Sequence, residues 1–158
     1  MKRSVSAKAA VATIGLVIVL SVTAAVVARH SGGSPTGIDG DAGVDIAATD
    51  AELASLYANQ TSNVEVSGVG TVTRLLADDN DGSRHQRFIV ALASGQTLLV
   101  AHNIDIAPRL DGLAVGDSVG FTGEYVYSDQ GGTIHWTHHD PSGSHAAGWL
   151  AWRGRRYS

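Results

Sequence analysis

The stretch HQRFIVALASGQTLLVAHN, residues 85–103, carries the fold in its alternation. Side chains of an extended chain point to opposite faces in turn. Phe88, Val90 and Leu92 therefore share one face, and His85, Arg87, Ile89 and Ala91 the other. Ser94-Gly95-Gln96 supplies a tight turn, after which Leu98, Val100 and His102 take up the apolar face again. Two such runs joined by a glycine turn predict a β-hairpin with one face buried.

Working outward, the pattern continues. VEVSGVGTVTRLL (64–76) is β-branched, and Gly68 and Gly70 predict a bent or bulged strand. DDNDG (78–82) is turn chemistry; as a calcium loop it lacks the required first Asp and distant Glu. IDIAPRLDGLAVGD (104–117) reads as a connector, SVGFTGEYVY (118–127) as a fourth strand and TIHWTHH (133–139) as a fifth. Val119, Phe121, Tyr125 and Tyr127 share an inward face, as do Ile134, Trp136 and His138. The expected fold is all-β, a small five-stranded OB-like Greek-key barrel. A short helix precedes it: Thr49 and Glu52 match a capping box, with Leu53, Leu56 and Tyr57 at helical spacing.

The beginning of the chain is different in kind. Lys2, Arg3 and Lys8 precede twenty uncharged residues, Ala9–Ala28. A helix of that length rises roughly 30 Å, the thickness of a bilayer's hydrocarbon core. The segment is read as an N-terminal membrane-spanning or signal helix, residues 1–29, either of which exports the rest of the chain. Residues 30–48, rich in Gly, Ser and Asp, read as a flexible linker, and residues 49–158 as the barrel domain. The expected location is extracytoplasmic, anchored to the cytoplasmic membrane through the N-terminal helix or secreted. With no cysteine, the exported domain must be held by its core alone. Beyond Arg29 there are seven arginines, no lysine and all fifteen acidic residues. That balance argues against nucleic acid as a partner, because phosphate contacts need a basic footprint.

HWTHHDPSGSH (135–145) places four histidines in eleven residues. His is a common ligand and acid/base group. His139, Asp140 and His145 form a loop cluster that Pro141 and Gly143 can fold back, and His102 or His138 can complete it. His102, His138, His139, Asp140 and His145 are thus candidate ligands for a divalent transition metal such as zinc. His85, Arg87, Asn103, Asp105, Arg109 and Trp136 are candidate contacts for a small ligand. The bland alternative makes His102 and His138 buried neutral imidazoles bonded to the backbone, and pairs Arg87 and Arg109 with Asp78, Asp79 or Asp105. The favoured function is a binding module. The alternatives are a metal-dependent hydrolase or nuclease using the His cluster, and a nucleic-acid-binding barrel. An HNH-type nuclease would need an Asn after Pro141, and none follows Asn103. The tail GWLAWRGRRYS joins aromatic and basic residues, suited to headgroups or to capping the barrel's own end.

The blocks GTVTRLLADDNDGSRHQRFIVALASGQTLLVAHNIDIAPRL, GDSVGFTGEY and GGTIHWTHHDPSGSHAAGWL resemble a bacterial domain-of-unknown-function family, number 3465. The resemblance covers Val66 to Tyr157. It departs at EYVYSDQGG, where Val126 and Tyr127 stand in place of an acid and a tryptophan. It implies no activity.

Overall fold

A computed structural model describes residues 46–158. The apolar run at 9–28 and the linker up to residue 45 lie outside the described residues. Among the described residues no helix is long and apolar enough to cross a membrane.

The elements are α1 (Ile46–Ala58), β1 (Val64–Leu75), β2 (His85–Ala91), β3 (Thr97–Asn103), β4 (Ser118–Val126), β5 (Thr133–His135), β6 (Trp149–Trp152) and β7 (Arg155–Tyr157). The first five strands close into a barrel in the order β1-β2-β3-β5-β4, with β4 pairing back onto β1. β3 and β5 run parallel; every other pairing is antiparallel. Closure leaves the barrel strands without the free edges an open sheet exposes.

The hairpin at 85–103 forms with the expected faces. Phe88, Val90, Leu98 and Val100 are fully buried, together with Phe121, Tyr125 and Ile134 from β4 and β5. Each such side chain stabilises the fold by roughly 1.5–3 kcal/mol on leaving water. β1 is the bent strand: its register against β2 shifts between Val72 and Arg74. The shift falls beyond the two glycines; Gly68 instead makes room for the Phe121 ring, which a Cβ there would meet at 2.6 Å.

Two segments cover the barrel's ends. α1 buries Leu53 fully, and the Asp50 carboxylate accepts from the Ser94 amide at 2.7 Å, pinning the helix to the β2–β3 turn. The connector 104–117 covers the other end with Leu110 and Leu113. There the buried Gln86 makes two bonds to one residue. Its Nε2 donates to the Leu110 carbonyl (3.1 Å) and its Oε1 accepts from the Leu110 amide (2.9 Å).

Several expectations are corrected. The helix begins at Ile46, so Thr49 is a buried residue inside it rather than its cap. β5 stops at His135, because Trp136 takes a left-handed backbone (φ 51). That twist breaks the alternation. Trp136, expected inside, is 44% exposed, whereas Thr137, expected outside, is fully buried. Tyr127 is half-buried and lies beyond β4. The tail adds two strands: β6 pairs with β4, and β7 folds back on β6. Arg153 (φ 49) and Gly154 (φ 72) form the turn between them. Two positive φ values in a two-residue loop match the right-handed twist of the strands.

Candidate functional site

The break after His135 gathers part of the histidine cluster. The indole of Trp136 lies 4.0 Å from the His145 ring, centroid to centroid, and 5.8 Å from His138; the two imidazoles are 5.5 Å apart. A left-handed conformation is strained for a bulky side chain and persists only where surroundings enforce it. Gly148 lies directly against that turn: a Cβ there would come within 1.9 Å of the Trp136 carbonyl oxygen, and its amide donates to the His138 carbonyl at 3.0 Å.

Asp140 is turned onto its own loop. Its carboxylate accepts from the amide and hydroxyl of Ser142 (2.8 and 2.7 Å), from the amide and hydroxyl of Ser144, and from the His145 amide (3.2 Å). The hydroxyls of Ser142 and Ser144 hold it well below the usual carboxylate range. Its nearest approach to an imidazole is 3.8 Å, from Oδ2 to His145 Nε2. His139 is exposed. No group of three His, Asp or Glu side chains placed to hold a metal ion occurs among the described residues.

Two of these imidazoles have a fixed tautomer. His138 Nδ1–H donates to the His139 carbonyl (2.9 Å), and His145 Nδ1–H to the Ala146 carbonyl (2.6 Å). A carbonyl only accepts, so Nδ1 carries a proton, and in the neutral ring the lone pair is then on Nε2. His145 Nε2 is buried and has no hydrogen-bond partner.

His102 stands apart from that group. It is fully buried, with Nε2–H donating to the Pro108 carbonyl (3.1 Å) and Nδ1 accepting from the Thr137 hydroxyl (2.9 Å). Burial pushes its pKa down to about 4. Both ring nitrogens are occupied, and the imidazole ties the end of β3 to the connector and to the segment after β5.

The remaining candidates form a second group around the β1–β2 loop. Arg84 pairs with Asp105 (2.7 Å), Arg87 with Asp79 (3.6 Å), and Arg109 with Asp78 and with Asp111 (3.5 Å). Asn103 accepts from the Asp105 amide (3.0 Å) and His85 Nδ1–H donates to the Ser83 carbonyl (2.8 Å). The Arg84 amide and guanidinium keep Asp105 below its ordinary value. Arg87, Asn103, Asp105 and Arg109 thus fasten the β1–β2 loop and the connector, as the bland alternative anticipated for the arginines. Exposed pairs of this kind contribute little individually, about 0–1 kcal/mol. His135 sits beside this group on the barrel's outer face; burial, and then His85, push its pKa down.

Sequence reasoning missed a groove on that outer face. It has a volume of about 800 Å³ and is lined by Thr73, Arg74, Leu76, Ile89, Thr97, Leu99, Gly132, Thr133 and the β4–β5 loop at Ser128–Gln130. Its centre is one row of paired residues across four strands, Arg74–Ile89–Leu99–Thr133. Outward Ile89 and Leu99 were legible in the alternation. Their meeting with Thr133 was not, because it depends on β5 lying parallel beside β3.

Residues 41–158 match the family described as Protein of unknown function (DUF3465), and the chain belongs to it. No curated protein matches the chain.

Proposed function

We propose that this chain is a binding module whose ligand seats in the outer-face groove of an OB-type barrel. The strand order, with β3 parallel to β5 and β1 paired to both β2 and β4, is the order that fold requires. Barrels of this type bind ligands across the strand 2–3 face, between the loops after strands 1 and 4. The groove lies between the end of β1 and the β4–β5 loop. The observation that carries the proposal is its lining. Leu76, Ile89 and Leu99 give an apolar floor, and Thr73, Arg74, Thr97, Thr133 and Asp129 a polar rim. Such a mixture of apolar floor and few polar groups is what small-ligand sites use. The test is a small-molecule screen by methyl NMR. Ligands should shift Ile89 and Leu99 first; hits confined to other surfaces would end the proposal.

We further propose that the module works outside the cytoplasmic membrane. The basic start, the apolar run at 9–28 and the polar linker support this. Alkaline phosphatase fused after residue 45 should be active in cells; an inactive fusion, with the protein in the cytosol, would refute export.

A second reading puts a divalent transition metal such as zinc at the Nε2 atoms of His138 and His145. What favours it is the tautomer: a metal-ligating imidazole commonly gives its other N–H to a carbonyl, as both do here. Two donors leave the remaining positions to water or ligand. Zinc should then bind stoichiometrically to the wild type and not to His138→Gln/His145→Gln; equal binding by both would dismiss it.

A further inference from the structure

We propose that the groove's ligand is a small amphiphilic monoanion and that Arg74 receives its charge. This rests on the groove being the binding site and adds the ligand's chemistry. Residues 46–158 hold seven arginines among twelve carboxylates. Arg84, Arg87, Arg109 and Arg153 each pair with an acid. Arg155 and Arg156 lie over the rings of Tyr157 (5.0 Å) and Trp149 (4.3 Å). Arg74 has neither an acid nor a ring as partner among the described residues, and it is the one arginine among the seven that lines the groove. In a domain with more acids than arginines, an unpaired guanidinium at the head of an apolar row is a natural seat for negative charge. A guanidinium grips a carboxylate or phosphate through two parallel N–H bonds.

The rest of the groove limits the anion. The row continues from Arg74 over Ile89 and Leu99 to Thr133, so the apolar body runs from β1 towards β5. Asp129 on the far rim repels a second negative charge at that end. A polyanion would carry charge past Asp129; a single charge at Arg74 avoids it.

The full chain, methyl-labelled, is titrated at low ionic strength with hexanoate, hexyl phosphate, 1-hexanol and hexylammonium. Hexanoate and hexyl phosphate should shift the Ile89 and Leu99 methyls saturably. Hexanol should bind at least about five-fold more weakly, and hexylammonium more weakly still. Charge-assisted hydrogen bonds imply that Arg74→Gln weakens both anions by about five- to ten-fold. The same variant should leave hexanol unchanged, and Arg155→Gln should change none of them. If hexanol binds as well as hexanoate, or Arg74→Gln leaves hexanoate unaffected, the anion proposal fails while the groove stands as the site. If no probe moves Ile89 or Leu99, both fail. Recruitment to phosphatidylglycerol vesicles without binding of free hexanoate would assign Arg74 to a lipid surface and also overturn the proposal.

Discussion

The hydroxyl of Thr137 donates to Nδ1 of His102 across 2.9 Å, joining the end of β3 to the segment after β5. With Nε2–H bound to Pro108, both ring nitrogens are already partnered in the neutral imidazole. A second proton would turn the Thr137 hydroxyl from donor to acceptor, and burial without any exposed surface is what opposes the charge.

Stability should therefore fall on the mildly acid side. The unfolded chain protonates His102 near 6.5, whereas the folded chain resists until about 4. Between those values the unfolded state holds more protons, so stability is complete above 6.5 and drains as pH falls towards 4. The loss from His102 should reach about 3 kcal/mol. His135, also depressed, adds in the same direction. Urea denaturation at pH 7.5, 6 and 4.5 measures it, and His102→Gln should flatten the slope.

Gln86 makes a sharper test of the connector. Gln86→Leu keeps the side chain's bulk but strands the amide and carbonyl of Leu110, both otherwise bonded to it. Each buried group left unpaired costs about 1–3 kcal/mol. The expected loss is about 2–5 kcal/mol by chemical denaturation. Gln86→Glu keeps an acceptor but no donor when ionised, and should be no better near neutral pH.

At the groove's rim, Gly132 has φ 111, and a Cβ there would lie 2.6 Å from the phenol oxygen of Tyr125. Tyr125 is fully buried and donates to the Gly131 carbonyl, so it has no room to yield. Gly132→Ala should cost at least about 2–4 kcal/mol from strain and overpacking together. Gly82, with φ 73 and open space around it, provides the contrast. There alanine should cost only the left-handed backbone, about 1–2 kcal/mol. Paired denaturation curves separate the two terms.

The Asp140 loop predicts a local effect. Asp140→Ala removes the acceptor shared by Ser142, Ser144 and the His145 amide. Exchange of the amides from Ser142 to His145 should accelerate while barrel amides keep their protection, and the Trp136 indole resonance should move as His145 leaves it. The wild-type contribution is present above the ordinary carboxylate value of 3.8 and is lost only in stronger acid, because the folded carboxyl is depressed. A loop unchanged by the substitution would mean that Trp136 and His145 order it alone.

The parts of the molecule legible from sequence are those governed by local alternation. Phe88, Val90, Leu98, Val100 and His102 lie inside as their spacing requires, since every second residue of an unbroken strand must. Legibility stops where the backbone leaves that regime. Trp136 at φ 51 shifts the parity by one residue, so Thr137 goes inside and Trp136 out. The β6–β7 turn was hidden because arginine rarely adopts the left-handed conformation that Arg153 takes before Gly154. The histidines were visible as a group, yet their division depended on which carbonyls lay within reach of each ring. Asp140 looked like a metal ligand because its two serine partners, at 142 and 144, read simply as loop residues.

The sheet's last strand, β7, spans Arg155–Tyr157 and pairs with β6 on one side. Its outward edge is three residues long and carries two guanidiniums. Another copy of the chain would have to stack like charges beside them to extend the sheet, for a gain of very few backbone bonds. The molecule should accordingly resist fibrillar self-association at high concentration, and its colloidal behaviour should worsen if those two positions become valine.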